Sequence, residues 1–120
     1  MRLNHMEIAV ADAEAAALFF QRHFGFRDVA PGGPGWRVMA DTSGFVLVLN
    51  RQDDCAYPEG FHIGFLQTER AAVDLAYQRL RDAGAEIVHP LSDTAGAWLF
   101  LCRVPGSLIN LEVSWRPTRR

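Results

Sequence analysis

The chain has 120 residues, 12 basic and 14 acidic, giving a formal net charge of −2, with 49% hydrophobic and 22% charged side chains. These values suit one globular domain with a core that needs no staples, and they argue against a basic nucleic-acid-binding face. With no secretory leader and no apolar run of the ~20 residues a membrane span requires, the expectation is a cytoplasmic protein whose Cys55 and Cys102 stay unpaired.

The first segment, "LNHMEIAV" (residues 3–10), reads as a strand. Alternation puts Met6, Ile8 and Val10 on one face and His5 and Glu7 on the other. "ADAEAAALFFQRHFGF" follows as an amphipathic helix capped by Asp12, with Ala16, Phe19, Phe20 and Phe24 on its stripe and Gly25 as its stop. "FRDV" is a short strand, "PGGPG" a turn-rich loop, and "WRVMAD" and "FVLVLN" are two further strands. "RQDDCAYPEG" is polar and reads as a linker.

The pattern then restarts. "FHIGFL" is a strand with an internal histidine, and Thr68 is the expected cap of the helix "ERAAVDLAYQRLRDAG". That helix carries Ala72, Leu75, Ala76, Leu80 and Ala83 on its expected stripe and stops at Gly84. "AEIV", "AWLFLCR" and "LINLEVSW" supply three more strands, and the basic ending "RPTRR" reads as a frayed tail.

Each half is therefore strand, helix, strand, strand, strand. The fold expected is α+β, with two βαβββ modules pairing into a curved eight-stranded sheet around a cleft and the helices on the outer face. Module 1 covers about 1–51, a linker about 52–59, module 2 about 60–116, and a tail 117–120, all within one domain. His5 and His62 fall in the first strand of each half, among apolar neighbours that face the helices. Both histidines are expected to point into the curl.

These stretches resemble the vicinal oxygen chelate superfamily, which includes glyoxalase I, extradiol dioxygenases and bleomycin resistance proteins. "LNHMEIAVAD" resembles its opening strand with the first ligand histidine, "FFQRHFGF" its helix ending, "FHIGF" its second ligand strand and "RVPGSLINLEVSW" its closing turn and strand. The resemblance implies a divalent metal (Fe, Mn, Zn or Ni) held by His5, His62 and a carboxylate on the last strand, with positions left for substrate. Counting from the turn glycine, Gly106, the family's glutamate position falls on Asn110, and Glu112 lies two residues on, on the same face. Glu112 is the expected third ligand and Asn110 the competitor. Val48 and Asn50 stand where some family members add a fourth ligand, and valine cannot ligate.

Glu7 shares the inward face with His5 and is the candidate general base. Arg37, Arg103, Trp98 and Asn110 are the candidate substrate-binding residues. Gly64, two residues after His62, either keeps the cleft open or marks a bulge. His23 and His89 read as surface or capping residues. Two functions follow from this reading. One is a metalloenzyme with lyase, isomerase or dioxygenase chemistry on a small substrate with adjacent oxygens; the other is a metal-free binder of an aromatic or amphiphilic small molecule or antibiotic, of the bleomycin-resistance kind. A homodimer is implied by the resemblance, and neither a nucleic acid nor a membrane is expected as a partner.

Overall fold

The computed structural model describes residues 1–117, so the last three residues of the expected tail, Thr118–Arg120, lie outside the described residues. Eight strands and two helices follow in order: β1 (His5–Val10), α1 (Ala13–His23), β2 (Arg27–Gly33), β3 (Trp36–Ala40), β4 (Val46–Arg51), β5 (His62–Leu66), α2 (Arg70–Asp82), β6 (Ile87–Thr94), β7 (Ala97–Arg103) and β8 (Asn110–Trp115). The strands hydrogen-bond as two sheets of four, ordered β1-β4-β3-β2 and β5-β8-β7-β6. In both, the first strand runs parallel to the last and the other pairings are antiparallel. The fold is α+β, built of two βαβββ modules. Two compact units result: Met1–Ala56 with Pro105–Ser107, and Tyr57–Val104 with Leu108–Arg120. Among the described residues no helix is long and apolar enough to cross a membrane.

In the first unit, Asp12 caps α1 as its sequence indicates, its Oδ1 accepting from the Ala15 N–H at 3.0 Å. The helix buries Ala13, Ala16, Ala17, Phe19 and Phe20, and packs on the face of β1, β3 and β4 that carries Ile8, Val10, Met39, Leu47 and Leu49. Phe20 is fully buried, edge-on to Phe26 at 5.3 Å and tilted against Phe24 at 5.9 Å. The segment Pro105–Ser107 closes on the start of this helix, where the Gly106 carbonyl accepts from the Ala11 N–H at 2.8 Å. Only glycine suits that turn. Gly106 has φ +70°, and a Cβ there would lie 2.7 Å from the Asp12 Cβ.

The second unit repeats the plan with different contacts. The buried stripe of α2 is Val73 and Leu80, with Tyr77 half-buried and edge-on to Phe100 at 5.0 Å. Leu75, expected on that stripe, is exposed. The cap also differs from expectation: it is Glu69 rather than Thr68, and Glu69 makes no side-chain capping bond. Against this helix lie Phe100, Cys102, Leu111 and Val113. Burial pushes the Cys102 thiol up to about 12, so it is an inert piece of core. Cys55 and Cys102 are both free, as expected.

Strands β2 and β6 are longer than their apolar cores suggest, running through Pro31-Gly32-Gly33 and through Pro90 respectively. Each is the edge of its sheet and each carries register shifts against its neighbour. An edge strand can spare the N–H that proline lacks, and a bulge absorbs the break.

Between β3 and β4, Asp41 organises a tight turn. Its Oδ1 accepts from Ser43 N, Ser43 Oγ and Phe45 N at 2.8–2.9 Å. Partial burial alone would raise this carboxyl, but the bonds from Ser43, Phe45 and Gly44 outweigh it and hold it below the usual 3.8. A carboxyl lowered on folding stabilises the protein above its unfolded value, and that contribution disappears as pH falls through the folded one. Asp41→Ala is therefore expected to cost about 1–2 kcal/mol at pH 7. The gap between variant and wild type should narrow below pH 3.8, as urea titrations at both pH values would show.

Candidate functional site

In the second unit the expected ligand strands lie side by side in regular register, His62 opposite Asn110 and Gly64 opposite Glu112. Across β8 the same rows continue to Arg103 and Leu101 on β7. His62, Gly64, Asn110, Glu112, Leu101 and Arg103 therefore share one face, opposite the face that α2 covers. Gly64 sits in unbroken pairing, so it is no bulge. A Cβ there would stand 3.9 Å from Glu112 Oε2, in ordinary contact.

His62 Nδ1 lies 2.8 Å from the Gly60 carbonyl oxygen. A carbonyl only accepts, so Nδ1 carries the proton and Nε2 is the lone-pair nitrogen of the neutral ring. That Nε2 is 3.7 Å from Glu112 Oε1, with the His62 side chain 46% exposed and that of Glu112 19%. The separation is shorter than about 4.2 Å, the sum of one metal–nitrogen and one metal–oxygen bond, so one ion can touch both atoms. A backbone oxygen fixing the far nitrogen of a histidine is also the usual support of a ligand imidazole. Asn110 is differently placed: its Oδ1 accepts from Arg103 Nε at 3.2 Å. Arg103 also reaches Glu86 Oε2 at 3.8 Å, a loose pairing at the surface. Of the two competitors, Glu112 faces His62 while Asn110 holds the arginine.

The first unit repeats the geometry with the residues exchanged. His5 is opposite Val46, and Glu7 is opposite Val48. Val48 thus stands at the register position that Glu112 holds in the other sheet, and Glu7 at that of Gly64. The carboxylate has changed strands. Glu7 Oε2 accepts from Asn50 Nδ2 at 3.0 Å, and His5 Nδ1 lies 2.8 Å from Asn4 Oδ1. Glu7, Val48 and Asn50 line a cavity of about 600 Å³ with Pro34, Gly35, Trp36 and Arg51.

Two expected substrate contacts are placed elsewhere. Arg37 lies on the α1 side of its sheet, where Nε and Nη2 grip the two Asp28 oxygens at 3.2 and 2.7 Å and Nη1 meets Glu14 at 2.9 Å. The Asp28 fork, with the bond to Glu14, raises the Arg37 pKa above its usual value and ties β3 to β2 and to the start of α1. Trp98 likewise faces α2, its Nε1–H donating to Asp74 Oδ1 at 2.7 Å with Arg70 4.0 Å over the ring. His23, in the last turn of α1, packs on Phe19 at 5.2 Å, and His89 Nδ1 meets the Pro90 carbonyl. Among the described residues, no three His, Cys, Asp or Glu side chains gather as a metal site. Sequence reasoning missed the part Gly60 plays under His62. It also took "PGGPG" for a turn-rich loop, although a tryptophan directly after two Pro-Gly pairs was a signal that a large ring packs there.

A family model described as the Glyoxalase/Bleomycin resistance protein/Dioxygenase superfamily matches residues 2–100. Among solved structures, one described as a "possible Glyoxalase from Bacillus cereus" is 34% identical, with a TM-score of 0.85 over 94% of this chain and 97% of that one. A glyoxalase/bleomycin resistance protein/dioxygenase family enzyme from Burkholderia phytofirmans PsJN is 19% identical, with a TM-score of 0.80 over 98% and 100% of the two chains. Lactoylglutathione lyase from Agrobacterium tumefaciens is 18% identical, with a TM-score of 0.77 over 95% and 92%. The last two speak for the fold alone. No curated protein matches the chain. The duplicated βαβββ plan, the family match over most of the length and the 34% identity to the Bacillus cereus protein agree: this chain belongs to the glyoxalase/bleomycin resistance protein/dioxygenase superfamily.

Proposed function

We propose that this chain is a divalent-metal-dependent enzyme acting on a small substrate with two adjacent oxygens, by lyase, isomerase or dioxygenase chemistry. The observation that carries the reading is the His62–Glu112 pair, with Nε2 and Oε1 3.7 Å apart and the imidazole fixed from behind by Gly60. These two residues would hold the ion. When bound, such an ion supplies Lewis-acid polarisation of the substrate oxygens. The chain's own residues then bind and orient. Arg103, loosely paired and one row from Glu112, offers its guanidinium to an anionic substrate group, and Asn110 holds that guanidinium in place. Gly64 leaves the space beside Glu112 free of a side chain.

The second reading, a metal-free binder of an aromatic compound, is favoured by the cavity against Trp36. Elemental analysis of protein purified without chelator separates the two. The enzyme reading expects close to one divalent ion per chain. A protein that neither carries nor takes up such an ion would leave the binder reading in its place.

A further inference from the structure

We infer that Gly64 is a specificity-determining residue: it keeps open a hollow beside Glu112 that receives an apolar substituent of the substrate. The inference rests on the metalloenzyme reading above and adds the kind of molecule that site takes.

A glycine in the middle of a strand is unfavourable, because it gives up more backbone freedom on folding than any other residue and packs no side chain. The usual structural reasons for one do not apply at Gly64. Its backbone is not left-handed, unlike that of Gly60 four residues earlier. It sits in unbroken pairing, so no bulge calls for it. No backbone crowds it either: the atom nearest to an added Cβ is Glu112 Oε2 at 3.9 Å, an ordinary contact. An alanine would fit this strand and suit it better. What remains is the other use of a strand glycine, the close approach of a ligand. The side chain beside the empty space belongs to Glu112, the carboxylate that faces His62.

The rows of this face say what approaches. His62, Asn110 and Arg103 form one row, Gly64, Glu112 and Leu101 the next, and Leu66, Ser114 and Leu99 the third. The first row is polar, with Arg103 at its end. In the third, Leu99 and Ser114 are buried while Leu66 is 70% exposed. Leu66 stands about 7 Å beyond Gly64 along β5. An apolar side chain that exposed offers its surface to whatever covers it. Gly64 lies between His62 and Leu66 on the same strand, so the direct path from the His62–Glu112 pair to Leu66 runs over it. A side chain at position 64 would stand in that path. The substrate is therefore amphiphilic: its two oxygens meet the His62–Glu112 pair, any anionic group turns toward Arg103, and an alkyl or aryl group lies over Gly64 against Leu66.

The test uses two neutral probes with the same pair of adjacent oxygens, acetohydroxamic acid and benzohydroxamic acid. Each is titrated by calorimetry into the full chain loaded with Mn(II). Wild type should bind the phenyl probe at least fivefold tighter than the methyl one. Gly64→Ala should reduce that preference below twofold by weakening the phenyl probe alone, and Gly64→Val should weaken it further. Affinity for Mn(II) itself should change less than twofold in Gly64→Ala, and this variant should unfold at the same or a higher urea concentration than wild type. A wild type without preference, a Gly64→Ala variant that keeps it, equal losses for both probes, or a Gly64→Ala variant less stable than wild type would each overturn the inference and leave the metalloenzyme reading standing. A wild type that takes up no divalent ion would remove that reading, and this inference with it.

Discussion

His62→Ala should lose metal affinity by more than about 100-fold, because even an outer partner of a ligand is worth about 10–100-fold. Glu112→Gln should do the same, while Asn110→Ala should retain the ion. The contrast follows from geometry: Glu112 Oε1 faces His62 Nε2 at 3.7 Å, whereas Asn110 is engaged by Arg103 Nε at 3.2 Å. Both polar partners are partly exposed, so none of these variants removes core and each should fold. Isothermal titration with Mn(II) or Zn(II), beside a circular dichroism check of folding, reads the effect. The reverse pattern, with Asn110→Ala losing the ion and Glu112→Gln keeping it, would move the ligand one row along β8.

Phe20→Ala should destabilise the protein by about 3–5 kcal/mol, a large share of the ~5–15 kcal/mol that typically separates folded from unfolded chains. Phe20 has no solvent exposure and joins α1 to the chain beyond it through Phe24 and Phe26. Deleting the ring removes apolar burial and two ring contacts, and a close-packed core relaxes only partly into the space left. Urea denaturation followed by circular dichroism measures the loss. A change below about 1 kcal/mol would show that the first unit is not organised around this residue.

Strand parity carried most of what the sequence made legible. A period of two separates His5 and Glu7 from Ile8 and Val10, and it also fixes Asn110 and Glu112 on one face. The pairings of His62 with Asn110 and Gly64 with Glu112 agree with that parity. The helix stops at Gly25 and Gly84 were equally plain, since both have positive φ just past a helix end. The stripe of α2 was harder. Alanines are spread around that helix, so the expected stripe took in Leu75 and left out Val73, which is buried, and the packing of Tyr77 on Phe100 marks the true phase. The ends of β2 and β6 were hidden because proline and glycine normally end strands, and their tolerance depends on an edge position that local sequence does not encode.

Side-chain partners over long range were the least legible. Arg37 and Trp98 looked free to meet a substrate, yet each is held by a helix residue, Glu14 for one and Asp74 for the other, 23 and 24 positions away in the chain. A strand residue at odd parity from the histidine row faces the helix, so the parity argument that placed His5 and His62 could have excluded both. The exchange of the carboxylate between strands, Glu7 on β1 and Glu112 on β8, is another consequence of register: it emerges once each residue is matched to its cross-strand partner.

The most direct measurement is a crystal structure of the protein grown with Mn(II), with the ion located by its anomalous scattering. The account predicts a peak within ordinary bonding distance of both His62 Nε2 and Glu112 Oε1, with Gly60 still behind the imidazole. A manganese ion bound elsewhere, or His62 and Glu112 turned away from a common point while manganese saturates the protein, would contradict it.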